Sequence, residues 1–127
     1  MQNPDHLRPD KPDQPVVLVA EDDVLVLNIV RITLEKTGYF VLTAENGEEA
    51  LHLFRRYPGE IHLLLSDIQM SRMSGIELSK IIERERPRTC VVLMSSSPQL
   101  ADARFHTLHK PFTVRHLSDT IKGLLPV

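Results

Sequence analysis

Several apolar segments of this sequence end in side chains that can do chemistry. In chain order these side chains are Glu21, Asp22, Asp67, Ser95 and Lys110. The leucines at positions 63–65 precede Asp67 and are typical of a strand that is buried on both faces. On that segment alone, Asp67 has an alternative interpretation as the cap of a following helix or turn.

The set predicts phosphoryl transfer assisted by a divalent cation. Carboxylates that share a small space repel one another, which raises their pKa values unless a cation binds. A few carboxylates, a carbonyl and water molecules suit Mg²⁺, and Mn²⁺ is an alternative. Lys110 and Ser95 add partners for negatively charged oxygens. Asp67 is then a candidate nucleophile that forms an acyl phosphate.

Alternating strands and helices are predicted to position these side chains. Strands are predicted at 16–20, 39–43, 63–65, 90–94 and 106–108, and helices at 24–37, 48–57, 75–86 and after the cap Thr113. This alternation predicts an α/β fold with a parallel sheet and helices on both faces. The carboxyl ends of parallel strands lie at one edge, so we expect the five side chains to converge.

The first predicted helix carries more apolar residues than one buried face needs. Its two stripes are Leu27, Val30 and Leu34, and Leu25, Ile29 and Ile32. We expect neighbouring elements to bury part of the second stripe. A face that docks a partner is the alternative.

Composition indicates one globular domain without a nucleic-acid or membrane signature. The chain has 127 residues and a net charge of -2, and it has no apolar stretch as long as the ~18 residues of a membrane span. Residues 1–15 are proline-rich and predicted to be a disordered tail, and residues 16–127 to be the domain. The single cysteine, Cys90, fits a reducing compartment, so we expect a cytoplasmic location.

Five motifs together resemble the receiver domain of bacterial two-component response regulators, of the chemotaxis-regulator type. They are Val-Leu-Val-Ala-Glu-Asp-Asp at 17–23, Leu-Leu-Ser-Asp-Ile-Gln-Met at 64–70, Gly75, Val-Leu-Met-Ser at 92–95 and Lys-Pro-Phe at 110–112. The resemblance implies a flavodoxin-like, doubly wound sheet of five parallel strands in the order 2-1-3-4-5, within a three-layer α/β/α fold.

The resemblance also implies a role for each site residue. Asp67 matches the phosphoacceptor, Ser95 the switch hydroxyl and Lys110 the lysine that pairs with phosphoryl oxygens. The metal ligands would be Glu21, Asp22, Asp67 and the backbone carbonyl of Gln69. The bond between Lys110 and Pro111 is expected to be cis.

By the same resemblance, a histidine kinase or histidine phosphotransfer protein supplies the phosphoryl group, and a conformational change signals to a protein partner. Such a receiver catalyses only its own phosphotransfer and dephosphorylation. We expect it to act alone, without contact to nucleic acid or membrane. A phosphorylation-independent interaction module on the same fold is the alternative, and the sequence leaves the oligomeric state open.

Three features depart from the family pattern. Ser71 replaces the usual proline after the phosphoacceptor loop, and Thr107 replaces the usual aromatic residue of the fifth strand. Residues 96–109 must supply a loop, the fourth helix, another loop and the fifth strand. The family's fourth helix, which lies between the fourth and fifth strands, is therefore predicted to be shortened here to about two turns at most.

Overall fold

The computed structural model describes residues 8–127, which form a parallel sheet between two layers of helices. The strands are β1 (Val16–Ala20), β2 (Phe40–Ala44), β3 (Leu63–Asp67), β4 (Cys90–Ser95) and β5 (His106–His109). The helices are α1 (Val24–Thr37), α2 (Gly47–Arg56), α3 (Gly75–Glu85) and α4 (Val114–Leu124). The predicted strand order 2-1-3-4-5 is confirmed, and β2 begins one residue later than predicted.

Successive side chains of the strands enter two cores, one on each face of the sheet. Leu18, Leu64 and Leu93 pack on the side of α2 and α3. Val19, Leu65 and Met94 pack on the side of α1 and α4. Since both faces are covered, the strands carry continuous apolar runs rather than alternating ones.

Polar side chains cap each of the four α-helices at its N-terminus. The caps are Asp23 for α1, Asn46 for α2, Ser74 for α3 and Thr113 for α4. Each accepts hydrogen bonds from backbone N–H groups of the first turn, which have no partner inside the helix. These caps fix where the helices begin relative to the strand ends.

The connection between β4 and β5 lacks a full helix. Residues 96–105 contain one 3-10 turn, Pro98–Leu100. This confirms the shortening predicted for the helix between the fourth and fifth strands. Phe105 is 8 % exposed and packs with the half-buried Leu100 against the core of α2 and α3. Leu93, beneath this connection, is fully buried. The connection therefore covers the sheet with side chains instead of a helix.

The second stripe of α1 stays largely exposed. Leu25 is 75 % exposed, whereas Ile29 at 53 % and Ile32 at 44 % border α4 across a groove, so the expected partial burial is limited to these two isoleucines. The first stripe is buried as predicted.

The segment before β1 is attached to the domain at its end. The Gln14 side chain donates a hydrogen bond to the Gly38 carbonyl, and the Phe40 N–H donates one to the Pro15 carbonyl. The predicted tail lies partly in residues 1–7, outside the described residues, and its disorder stays a prediction. Between residues 8 and 127, every helix is too short or too polar to cross a membrane.

Candidate functional site

The strand ends bring the predicted side chains to one edge of the sheet. Glu21 and Asp22 follow β1, and Asp67 ends β3. One carboxylate oxygen from each of these three residues lies within 4.8 Å of the other two. Lys110 follows β5, and its Nζ lies 2.6 Å from Glu21 Oε1 and 3.4 Å from Asp67 Oδ2. Residues far apart in sequence thus form one charged cluster.

The three carboxylates differ in exposure and in bonding. Glu21 is fully buried, and it accepts hydrogen bonds from Lys110 Nζ and from the Asp23 N–H. Asp67 is mostly buried, with 13 % of its side chain exposed, whereas Asp22 is exposed. Glu21 is therefore engaged inside the protein, while Asp22 and Asp67 have surface available to a ligand.

Burial and the neighbouring charges shift the pKa values in this cluster. Burial raises the pKa of Glu21; its bond to Lys110 opposes that effect, and the charge of Asp67 adds to it. Burial and the neighbouring Glu21 raise the pKa of Asp22. Burial tends to lower the pKa of Lys110, but its bond to Glu21 and the charge of Asp67 outweigh that effect and raise it. One lysine thus faces three carboxylates, which leaves negative charge for a cation to offset.

The donor atoms fit a magnesium ion. Mg²⁺ prefers oxygen ligands and is usually bound by one or two carboxylates together with water. Asp22, Asp67 and Glu21 supply carboxylate oxygens at suitable mutual distances. Gln69 lines the same cleft as Asp22, next to the tip of β3. The metal role of the Gln69 carbonyl stays a prediction.

Ser95 is held in a local turn next to the cluster. Its hydroxyl donates a hydrogen bond to the Ser97 carbonyl at 2.6 Å and accepts one from the Ser97 N–H at 3.1 Å. The Ser97 carbonyl also accepts from the Leu100 N–H, so Ser95 is linked to the 3-10 turn. The Ser95 carbonyl accepts from the Lys110 N–H at 2.8 Å, which ties the ends of β4 and β5 together. The peptide bond between Lys110 and Pro111 is cis, as expected.

The sequence-based interpretation missed two positioning residues. A Cβ atom at Gly75 would lie 2.1 Å from the Asp67 carbonyl oxygen, so only glycine allows α3 to begin this close to Asp67. The sequence motifs include Gly75 but do not reveal this reason for it. Ser97 was not identified at all, although the run Ser95-Ser96-Ser97-Pro98 is a signal for a side chain-to-backbone turn.

Comparison with known proteins gives consistent matches over most of the chain. The family model described as "Response regulator receiver domain" matches residues 17–122. Sensor kinase CckA of Brucella abortus is 32% identical over 117 residues, which cover 87% of this chain and 12% of that protein. Response regulator RR06 of Streptococcus pneumoniae is 30% identical over 115 residues, which cover 86% of this chain and 52% of that protein. The chain therefore spans about half of one curated relative and about an eighth of the other.

A solved structure extends the similarity to three dimensions. The response regulator protein TrrA from Thermotoga maritima, solved in complex with Mg²⁺-BeF, aligns with a TM-score of 0.76 and 28% identity. The alignment covers 88% of this chain and 100% of that one.

Proposed function

The chain belongs to the response regulator receiver domain family, and from this premise we propose that it accepts a phosphoryl group on Asp67. The donor is a histidine kinase or a histidine phosphotransfer protein. The observation that carries the proposal is the position of Asp67: its Oδ2 lies 3.4 Å from Lys110 Nζ, within a cluster of three carboxylates at the strand ends. Sensor kinases and response regulators among the relatives support a kinase partner.

In the proposed reaction, a carboxylate oxygen of Asp67 attacks the phosphorus of the donor's phosphohistidine. A P–O bond forms and the P–N bond breaks, so the imidazole leaves and an acyl phosphate remains on Asp67. The Lys110 ammonium, held by Glu21, pairs with the transferred oxygens. When bound by Glu21, Asp22 and Asp67, Mg²⁺ supplies positive charge that offsets the negative charge of the phosphoryl oxygens.

The acyl phosphate is later lost to water, which restores the Asp67 carboxylate and releases phosphate. The chain therefore catalyses only its own phosphorylation and dephosphorylation. We propose that it acts in the cytoplasm, as a signalling phosphoacceptor rather than as an enzyme with a separate substrate.

A small phosphodonor tests the acceptor directly. The chain is incubated with acetyl phosphate and MgCl₂, and its intact mass is measured. We expect one phosphoryl adduct, which is absent when MgCl₂ is replaced by a chelator and absent in Asp67→Asn. Asp119→Asn, which changes an exposed carboxylate of α4 outside the site, is the matched control and keeps the adduct.

An adduct that persists in Asp67→Asn would show that another residue is the acceptor. A natural chain that gains no adduct would favour the phosphorylation-independent interaction module instead.

We further propose that the signal leaves the site through residues 96–105. To reach a phosphoryl group on Asp67, the Ser95 hydroxyl must leave the Ser97 carbonyl, which also holds the Leu100 N–H. Hydrogen bonds to a charged phosphoryl group contribute about 1.5–3 kcal/mol each, against about 0.5–1.5 kcal/mol for a neutral one. Bonds from Ser95 and Lys110 together supply about 3–6 kcal/mol before the lost Ser95–Ser97 bond is subtracted, which is comparable with the ~5.5 kcal/mol needed to reverse a 1:99 equilibrium.

Amide hydrogen exchange tests this route, with beryllofluoride and Mg²⁺ as the phosphoryl mimic. We expect faster exchange at the amides of Leu100 and Ala101, whose hydrogen bonds form the 3-10 turn. Ser95→Ala is expected to bind the mimic without this change. Changes confined to α2 or α3, with residues 96–105 unaffected, would contradict the proposed route.

A further inference from the structure

The exposed large apolar side chains of residues 8–127 are concentrated on one side of the molecule. Leu25, Ile29 and Ile32 on α1 lie beside Val114 on α4, while Val24 lies at the start of α1 and Val127 at the C-terminus. We call Leu25, Ile29, Ile32 and Val114 the α1 patch. Scattered single apolar residues are normal on a protein surface, but a contiguous patch marks an interaction site.

We propose that the α1 patch joins two copies of this chain in a twofold-symmetric dimer, with the two α1 helices antiparallel and Ile29 at the axis. A twofold interface uses the same surface on both copies, so that surface must be complementary to itself. The α1 patch meets this requirement in shape and in charge. The proposal does not depend on phosphorylation of Asp67.

The shape of the surface provides both a projecting side chain and a groove. Leu25, Ile29 and Ile32 follow the four-and-three spacing of a helix–helix seam. Leu25 projects furthest, at 75 % exposure. Beside it, a groove of about 500 Å³ between α1 and α4 is lined by Ile29, Ile32 and Val114, together with the charged Lys36 and Arg115. With two α1 helices antiparallel about Ile29, Leu25 of each copy faces this groove in the other.

The charges select the antiparallel arrangement. Asp22 and Asp23 are exposed at the N-terminal end of α1, and Lys36 is exposed at its C-terminal end. Across residues 8–127, Lys36 forms no ion pair of its own. Ile29 lies midway between Asp22 and Lys36 in sequence, so a twofold axis there places Lys36 of each copy opposite the acidic end of the other. A parallel arrangement would bring like charges together.

A patch of only four side chains predicts a weak, reversible dimer, because stable interfaces bury about 800 Å² and roughly 20–30 residues on each partner. Sedimentation velocity over a range of chain concentrations tests it. We expect a reversible monomer–dimer equilibrium in the micromolar range or weaker. Ile29→Glu is expected to stay monomeric throughout. Lys80→Glu, which changes an exposed residue of α3 on the opposite face of the sheet, is the control and dimerises like the natural chain.

Site-specific crosslinking tests the predicted axis. In a Cys90→Ala background, Ile29→Cys is expected to form an intermolecular disulfide rapidly under mild oxidation. Lys80→Cys, on the exposed side of α3, is the control and reacts slowly. Lys36→Glu is expected to weaken the dimer several-fold, whereas Lys122→Glu on α4 leaves it unchanged.

A natural chain that is monomeric at all concentrations would overturn the proposal. So would a dimer in which Ile29→Cys reacts no faster than Lys80→Cys. If the chain is monomeric and Ile29→Glu instead slows phosphotransfer from a histidine phosphotransfer protein, the patch binds the phosphodonor. Phosphorylation of Ile29→Glu by acetyl phosphate keeps this outcome distinct from failure of Asp67 as the acceptor.

Discussion

The strand ends that carry the charged cluster and the connection from β4 to β5 are built in opposite ways. The cluster joins three strands through a buried ion pair, in which Glu21 is fully buried and bonded to Lys110. The connection, residues 96–105, has one 3-10 turn held by short-range hydrogen bonds and covers the core with Phe105. The first region is fixed by strand register, and the second by local bonds and one aromatic side chain.

This difference shows that the charged cluster and the connection from β4 to β5 must meet different physical requirements. The site needs a few charged groups at fixed distances, and parallel strands supply those distances directly. The face of the sheet needs only enough apolar surface to exclude water, which Phe105 and Leu100 supply without a helix. The connection therefore tolerates shortening that the strands do not.

The largest expected effect concerns the cover of the sheet. Phe105→Ala removes the buried ring that lies over β4 and should lower the free energy of unfolding by about 3–5 kcal/mol. Phe105→Leu, which keeps apolar volume, should lower it by much less. Urea denaturation measures both. If Phe105→Ala lowers the free energy of unfolding by less than about 1 kcal/mol, well below that range, the Phe105 ring does not replace the packing that a helix would give.

The next effect concerns the buried ion pair. Lys110→Ala leaves the buried Glu21 carboxylate without its cation and should lower the free energy of unfolding by about 2–3 kcal/mol at pH 7, somewhat less than for a fully buried pair because Lys110 is partly exposed. Without Lys110, the pKa of Glu21 rises further above its ordinary value. The loss of stability caused by Lys110→Ala should therefore shrink as the pH falls through this raised pKa and Glu21 takes up a proton.

Urea denaturation of Lys110→Ala at pH 7 and near pH 5 measures this difference. Lys122→Ala, which removes a surface lysine 3.9 Å from Asp119, is the control and should change stability by at most about 1 kcal/mol at either pH. A loss for Lys110→Ala that is the same at both pH values would contradict the role assigned to Glu21.

The smallest effect concerns the charge that the cluster leaves unbalanced. Because the folded-state pKa values of Glu21 and Asp22 are raised, protonation of these groups stabilises the metal-free protein at low pH, and this contribution is lost as pH rises through those values. At neutral pH, Mg²⁺ at ten times its dissociation constant should therefore add about 1.4 kcal/mol. The gain should decrease as the pH is lowered.

Thermal unfolding with and without MgCl₂ measures this gain. Asp22→Asn should raise the stability of the metal-free protein at pH 7 and remove the response to MgCl₂. Asp119→Asn on α4 should leave the response intact. A full response in Asp22→Asn would place the metal elsewhere.

Much of the fold could be predicted because its signals are local. Short apolar runs ended by turn residues located all five strands, and the capping residue Thr113 located the start of the last helix. The membership of the charged cluster followed from the same pattern, because every one of its residues stands at a strand end. The resemblance to receiver domains then supplied the strand order, which periodicity alone does not give.

Other features depended on contacts between distant residues. The exposure of Ile29 and Ile32 was not predictable, because periodicity shows that a stripe is apolar but not whether a neighbour covers it. The bond from Ser95 to Ser97 needed backbone geometry beyond β4. The contribution of Phe105 to the core appeared only once the short connection was folded onto the sheet.

The sequence by itself therefore determined which charged residues stand at the strand ends, since their types and their places at strand ends are local properties. Only the tertiary structure decided that Glu21 is buried against Lys110 while Asp22 and Asp67 keep exposed surface. Only the tertiary structure decided that α1 presents an uncovered apolar stripe. The reason is physical: burial and pairing depend on which segments pack together, and that is a property of the whole folded chain.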